Sequence, residues 1–580
     1  MPSPTRRLRV AILGGGPSAL FMYKRLIESG RNDLCIEIFE RSSQLGAGMP
    51  YSAAGARVEH VTNVSGNEIP TLITSLPEWL KTQPLERLEQ FQIDPHQVSP
   101  YHVVPRLLFG QYLAAQFDLL QQRALVRGLE TQVHFNCAVT DLRDEPTSQT
   151  IWVETADQHQ RNVDVVIVCT GHYWPTSHEG KVPGYFDSPY PPTKLALTLN
   201  HPVAIRGASL TAIDAIRTLA RYNGHFENDA TGQLRYYRSE AVPDFQMVMH
   251  SRQGLLPAIR FHLDEPLISQ DDQLSPDMIA ANRQQNQGFL SLDFVFDKVF
   301  KETLRKKDPV FYNRIREMNL EAFVDAIMGM REQQDPFVLF ANEYQQAEQS
   351  IRKHESIHWK ETLAVLSYAL NYPAKYFSAE DSQRLKKVLM PLISIVIAFV
   401  PQQSARELLA LHQAGVLTLK TAGEDSTVTP HPEGGATYYN PEDTDQPQSV
   451  HYQTFVDCIG QPHLAFEDFP FKTLIRDQTI SRARLRYQSD EAGLTALRQG
   501  NQDVEQLADG AFYLTVPGLA INDDFQVVGP QGQSNPRLYI MAVPHIGGYN
   551  PDYSGLDFAE AASARIGKHL LQIDHAQTNA

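Results

Sequence analysis

The stretch Val10-Ala11-Ile12-Leu13-Gly14-Gly15-Gly16-Pro17-Ser18-Ala19 decides the fold. Its apolar residues run without a polar break, as in a parallel strand buried on both faces, and glycines follow at once. Gly14, Gly16 and Ala19 give G-x-G-x-x-A, and Leu20-Phe21-Met22-Tyr23-Lys24-Arg25-Leu26-Ile27 continues as a helix. Gly14 permits the tight turn, Gly16 lets the backbone approach a pyrophosphate, and Ala19 lets the helix pack closely on the sheet. Pro17 and Ser18 open that helix, whose N–H groups and positive dipole end favour an anion. One strand later, Cys35-Ile36-Glu37-Ile38-Phe39-Glu40 ends in an acid placed for a ribose hydroxyl, with Arg41 beside it. Strand, turn, helix and terminal acid together predict a dinucleotide-binding unit.

Working outward, residues 131–140 and 163–170 read as further strands, the second ending Val168-Cys169-Thr170-Gly171. The strand-glycine-helix pattern then occurs again. Pro202-Val203-Ala204-Ile205-Arg206 leads into Gly207-Ala208-Ser209-Leu210-Thr211-Ala212-Ile213-Asp214. Here Ser209 stands where the second glycine of the motif belongs, and a Cβ there weakens or repositions a bound nucleotide. Arg252 follows the apolar run Met247-Val248-Met249 and is placed for the 2′-phosphate of NADPH, which a guanidinium binds bidentately. Between 265 and 400 glycine becomes scarce, and Phe294 to Leu304 and Trp359 to Leu370 fit a helical period. Ser378 is placed as a helix N-cap. Residues 421–449, rich in Glu, Asp, Pro, Thr and Gly, read as an exposed loop or hairpin tip.

The expected architecture is α/β: two Rossmann-like dinucleotide-binding domains with a mostly helical insertion. Residues 1–195 and 500–580 are assigned to the first domain and 196–264 with 401–499 to the second. Residues 265–400 form the insertion. A chain of 580 residues has room for about three to five such pieces.

Composition excludes several classes of function. Lys plus Arg is 51 against 67 for Asp plus Glu, a net charge of −16 that repels phosphate backbones, so no nucleic-acid partner is expected. Cys35, Cys137, Cys169 and Cys458 are widely separated, which argues for reduced, buried thiols and a cytoplasmic location. No CxxC, HExxH or clustered Cys/His spacing offers a metal site. The start, Arg6-Arg7-Leu8-Arg9 before an apolar run, is better explained by a strand and turn than by a targeting signal. The greasiest stretch, Val388 to Val400, holds Pro391 and falls short of the ~20 residues of a membrane span, so it reads as buried helix or strand. No membrane association is expected, and the oligomeric state is not readable.

Val168-Cys169-Thr170-Gly171 resembles the strand-end element of flavoproteins with two dinucleotide folds, which implies FAD as the first cofactor, with Thr170 and Gly171 against it. His172-Tyr173-Trp174-Pro175, Val182-Pro183-Gly184 and Phe186 follow in an order that resembles the flavin-containing and N-hydroxylating monooxygenases. Upstream, Gly46-Ala47-Gly48-Met49-Pro50-Tyr51-Ser52, Thr62-Asn63-Val64-Ser65 and Leu76-Pro77-Glu78-Trp79 resemble the same pattern, which bacterial FAD/NAD(P)-binding proteins share. The resemblance covers about half the chain. It implies FAD contacts at Gly48 and Met49 and a catalytic hydrogen-bonding role for Asn63.

Near the C-terminus, Leu538-Tyr539-Ile540-Met541-Ala542 resembles the last strand of such a domain, with Val543-Pro544-His545 in place of the usual Gly-Asp. His545 is then a possible proton donor. Gly555-Leu556-Asp557 opens a helix whose N-terminus would face the flavin. A redox-cysteine mechanism is excluded, because residues 36–136 contain no cysteine. The implied activity is an FAD-dependent, NADPH-using monooxygenase. It would oxygenate a nitrogen, sulfur or carbonyl group of a small molecule with O2 through a flavin C4a-hydroperoxide. An oxidase or dehydrogenase, or a non-catalytic FAD-binding sensor or interaction protein, are the alternatives. The substrate pocket is expected in the insertion, with Tyr372, Tyr376 and Phe377 as lining or core.

Overall fold

The opening run folds as the strand Leu8–Leu13, its last four residues buried, and the helix Pro17–Glu28 follows. Residues 7–263, 274–441, 448–461, 463–551 and 555–577 are described in this computed structural model. The strand lies within a six-stranded sheet ordered Gln526–Val528, Ser534–Ile540, Val165–Val168, Leu8–Leu13, Leu34–Phe39, Glu130–His134. Every pair is parallel except the edge pair of Gln526–Val528 with Ser534–Ile540. Parallel strands covered on both faces are apolar throughout, as Val165–Val168 is. The helix Pro17–Glu28 packs between this sheet and the helices Arg106–Val126 and Gly555–Gln577. From Leu8–Leu13 the sheet builds to Leu34–Phe39 on one side and to Val165–Val168 on the other. That reversal opens a crevice beyond the carboxyl ends of the two strands.

The second sheet is parallel and five-stranded: Leu417–Thr421, Gln246–Ser251, Pro202–Arg206, Thr454–Asp457, Tyr185–Phe186. Its middle strand feeds the second glycine turn and the helix Leu210–Tyr222. The fold is thus α/β with two Rossmann-like units. The chain joins the second sheet at Tyr185–Phe186, ten residues before the division placed at 195–196.

Among the described residues, four small antiparallel sheets complete the β structure. In the segment read as an exposed loop or hairpin tip, of which residues 442–447 lie outside the described residues, Thr427–Pro430, Ala436–Tyr439 and Ser449–Tyr452 form one of these sheets. Its apolar residues Ala436, Tyr438 and Tyr452 bury against the face of the second sheet, which is why a polar-rich segment becomes regular.

The insertion is helical, from Pro276–Gln285 to Met390–Val396, around its own core of Phe296, Phe300, Phe323, Leu363 and Leu389. Residues 264–273, at its predicted start, lie outside the described residues. Phe294 to Leu304 is helical with a π-helical stretch at Phe296–Lys301, and the second period becomes the helix His358–Leu370. Ser378 caps the helix Ala379–Arg384 by accepting from Asp381 N at 3.2 Å. The greasy run becomes the end of the π-helical Leu385–Leu389, the half-buried helix Met390–Val396 and an extended Val400 bridged to Ile259. Among the described residues no helix is long and apolar enough to cross a membrane.

Candidate functional site: one cleft shared by two glycine turns

Gly14 has φ +101°, and a Cβ on it would lie 2.6 Å from the carbonyl oxygen of Cys169. Only glycine tolerates both conditions. The second turn repeats this: Gly207 has φ +108°, and its Cβ would lie 2.7 Å from the oxygen of Cys458. Each glycine therefore lets its turn close over the end of the neighbouring strand. Gly16 is different, with ordinary φ −81°, and its glycine matters for space. A Cβ there would stand 3.3 Å from Gly48 Cα, and Gly48 itself has φ +57°. The two backbones form a cradle that side chains would fill.

A cleft of about 1290 Å³ opens over this cradle. Gly14, Gly16, Pro17, Ser18, Glu40, Arg41, Gly48, Met49, Thr170, Gly171, Gly555 and Leu556 line it, as do Asn63 and His545. Leu210 and Thr211, the first residues of the second unit's helix, line it as well. Neither glycine-turn helix carries an acid in its first turn, so both N-termini keep their positive potential. Ala19 is buried between helix and sheet. The Glu40 carboxylate accepts from Gly15 N at 2.6 Å and from Ser42 N at 2.7 Å, so it fixes the turn as well as facing the cleft.

Other expected positions lie away from the cleft lining. Gly207 shapes its turn from behind, and Ser209 is exposed in extended backbone, its hydroxyl capping nothing. Arg252 is exposed just past Gln246–Ser251, and its carbonyl accepts from Gly423 N at 3.1 Å. No described residue of 265–400 lines this cleft, whereas the sequence placed the substrate pocket in the insertion. The insertion spends its apolar surface on its own core. Tyr376 donates to Asp523 at 2.5 Å, the Arg565 guanidinium lies 3.5 Å from the Tyr372 ring centre, and Phe377 is core. These aromatics dock the insertion on the first unit. The thiols also differ from expectation: all are free, but only Cys169 and Cys458 are buried, and half-buried Cys137 lines the cleft.

The insertion's approach does reach the site from behind. Arg260, buried, donates to the backbone carbonyl of Asn63, to Ser65 Oγ at 2.8 Å and to Glu68. Burial pushes its guanidinium down to about 9. Asn63 is thereby held by a residue far along the chain.

Three further residues form a group that spacing does not reveal. Arg106 Nη1 donates to Asp214 Oδ2 at 2.5 Å, and Tyr190 O–H donates to the same oxygen at 2.8 Å. Arg106 Nε donates to Val61 O at 3.1 Å, and His60 Nε2 lies 3.1 Å from Asp214 O. Burial opposes charge on Asp214, but the Arg106 guanidinium, His60 and the Tyr190 hydrogen bond outweigh it and hold the carboxyl below its ordinary range. Arg106 and Tyr190 line the cleft. The ion pair joins the first unit to the helix of the second glycine turn.

His545 is buried with its ring edge-on to Phe469 at 5.0 Å, and its Nδ1 has no partner among the described residues. Burial pushes it down to about 4. At neutral pH it is an uncharged ring, so any proton it gives comes from a neutral N–H, not from an imidazolium. Asp557 lies in the first turn of Gly555–Gln577, and burial with nearby Glu560 pushes it up to about 7. The folded protein therefore holds a proton that the unfolded chain releases near pH 4, and stability falls as pH rises from about 4 to 7. In FAD-free protein, Asp557→Asn is expected to flatten the decline of Tm across that window. Parallel wild-type and variant curves would contradict the assignment.

His431, Glu433 and His451 also come together, their ligand atoms within 4.8 Å. The two rings stack at 3.7 Å, Nε2 of His451 contacts Gly434 O and Nδ1 of His431 accepts from Glu433 N. One ring nitrogen of each histidine is engaged with backbone.

The Gly16–Gly48 cradle, the acid-free helix start and the unpartnered buried Thr170 Oγ1 and His545 Nδ1 fit FAD. Fold and cleft together define a protein with two Rossmann-like dinucleotide-binding units. Residues 11–173 match the FAD-NAD(P)-binding family, and residues 275–397 match the YdhS-like middle domain. The chain is 29% identical over 475 residues to the uncharacterized protein YdhS of Escherichia coli (strain K12), covering 80% of this chain and 85% of that one. It resembles the reduced form of the ornithine hydroxylase PvdA of Pseudomonas aeruginosa with a TM-score of 0.50 at 11% identity, over 98% and 99% of the two chains. Ornithine N-hydroxylase of Kutzneria sp. 744 aligns with a TM-score of 0.48 at 13% identity, over 98% and 100%. At such identities the first likeness establishes the fold.

Proposed function

We propose that this protein is an FAD-dependent, NADPH-using oxidoreductase that oxygenates a nitrogen, sulfur or carbonyl group of a small molecule. The observation that carries the reading is the single cleft lined by both glycine-turn helices. At about 1290 Å³ it exceeds the ~300–1,000 Å³ of an ordinary one-ligand pocket, which suits a flavin and a second ligand side by side. When bound, FAD would supply the redox chemistry, two-electron transfer between a nicotinamide and dioxygen, over the cradle of Gly16 and Gly48. The chain's own residues bind and shield. Ser18, beside a Pro17 that has no N–H to give, presents its N–H to the first pyrophosphate, and Leu210 and Thr211 present theirs to the second. Tyr51, Trp174, Phe471 and Leu556 supply apolar wall that keeps water out. Asn63 offers an amide to the reacting groups from a loop held by Arg260. The shared fold with an ornithine hydroxylase and the C-T-G-H-aromatic stretch support oxygenation over other flavin chemistries.

The test is anaerobic mixing of the flavin-loaded protein with NADPH or NADH, followed by air and candidate amines, sulfides and ketones. Loss of the flavin's visible absorbance with NADPH, then product-coupled oxygen uptake, is expected. Peroxide release without product would mark an oxidase, and no bleaching by either nicotinamide would leave a binding or sensing protein.

A further inference from the structure

The strand ends that support the two glycine turns are one device used twice, Cys169 beneath Gly14 and Cys458 beneath Gly207. The chain continues as Thr170-Gly171-His172 after the first cysteine and as Ile459-Gly460-Gln461 after the second. These continuations meet across the cleft, where His172 Nδ1–H donates to Gln461 Oε1. Burial pushes His172 down to about 4, so the bridge is uncharged at neutral pH. Because Oε1 takes the imidazole N–H, the amide is fixed with Nε2 turned away. Nε2 is buried, has no partner among the described residues, and belongs to a residue that lines the cleft. A buried N–H left unpaired by the protein is costly, and the ligand of the cleft is what remains to satisfy it.

Position narrows the ligand. Gln461 extends from Thr454–Asp457 of the second unit, whose helix start at Leu210 and Thr211 lines the same cleft. His172 ties it to the end of Val165–Val168 in the FAD unit. A ligand that binds the second unit and must hand electrons to the first passes this seam. Resting on the reading of the protein as an NADPH-using flavoenzyme, we propose that Gln461 binds the nicotinamide end of the reductant. Its Nε2–H donates to the carboxamide oxygen, and His172 acts as a positioning residue.

The test compares NADP+ with 2′-phospho-ADP-ribose, which lacks the nicotinamide, by calorimetric titration of flavin-loaded wild type and Gln461→Ala. The variant is expected to lose about tenfold in NADP+ affinity and nothing for 2′-phospho-ADP-ribose, with FAD content and Tm unchanged. Anaerobic flavin reduction by NADPH slows with it, while reduction by dithionite does not. His172→Ala, which frees the amide to turn, reproduces part of the NADP+ loss. Equal losses for both ligands would show that the bridge only holds the two units together. No loss for either would show that Nε2 meets another group, such as a substrate carbonyl. Both results overturn the proposal. The underlying reading fails separately, if wild-type flavin is bleached by neither NADPH nor NADH.

Discussion

Gly16→Ala is expected to give a folded protein that has lost its FAD. The residue has φ −81° and ψ −163°, a conformation alanine adopts freely. The added methyl would stand 3.3 Å from Gly48 Cα, a contact that a slight shift relieves. What it removes is the backbone's access to the pyrophosphate. Losing a charge-assisted N–H contact there costs about 10- to 100-fold in affinity. Reconstitution with FAD, followed by flavin fluorescence, measures the loss, and Tm of the FAD-free protein stays near wild type. Gly14→Ala separates access from folding. At φ +101° with the Cys169 oxygen 2.6 Å from the new Cβ, strain of about 1–3 kcal/mol adds to a backbone clash, and Tm itself drops. Stoichiometric flavin in Gly16→Ala would remove the cradle from the account.

The second large effect falls on Asp214. Removing its carboxylate leaves the Arg106 guanidinium and the Tyr190 hydroxyl without their shared acceptor in a buried seam. Breaking a buried pair from one side costs about 3–5 kcal/mol, so Asp214→Ala lowers Tm by roughly 5–15 °C. Replacing both partners with apolar residues, Arg106→Met with Asp214→Leu, costs less than either single change, because no charge is stranded. The pH dependence has a definite sign. The folded carboxyl is held below its ordinary value, so its contribution is complete above about pH 4 and is lost as pH falls through the folded value. The Tm gap between wild type and Asp214→Ala therefore narrows in acid. A constant gap down to pH 3, about one unit below the ordinary value, would mean that Asp214 is not the ionised partner of Arg106.

The glycine turns were legible because their requirements are local. A positive φ at Gly14 and close backbone approach at Gly16 are demands on single residues, and the strand before them is apolar for a reason one can count. The helical period of the insertion was legible on the same ground, and so was the Ser378 cap. The small sheet at 427–452 was not, because its polar-rich strands are ordered by the burial of Ala436, Tyr438 and Tyr452 against another sheet.

Asp214 stands at the end of a glycine-turn segment that could be read, yet its partner Arg106 could not. Periodicity describes what a residue's neighbours along the chain impose on it. The Arg106–Asp214 pair, the Arg260 hold on Asn63 and the His172–Gln461 bridge join segments more than a hundred residues apart. Two strand-turn-helix units and the class of ligand they cradle follow from short-range sterics written in the order of residues. That both turns open into one cleft, that the insertion stays outside it, and which polar groups face its contents follow from how the two sheets pack, since burial and charge pairing across the seam are set by contacts no linear pattern encodes.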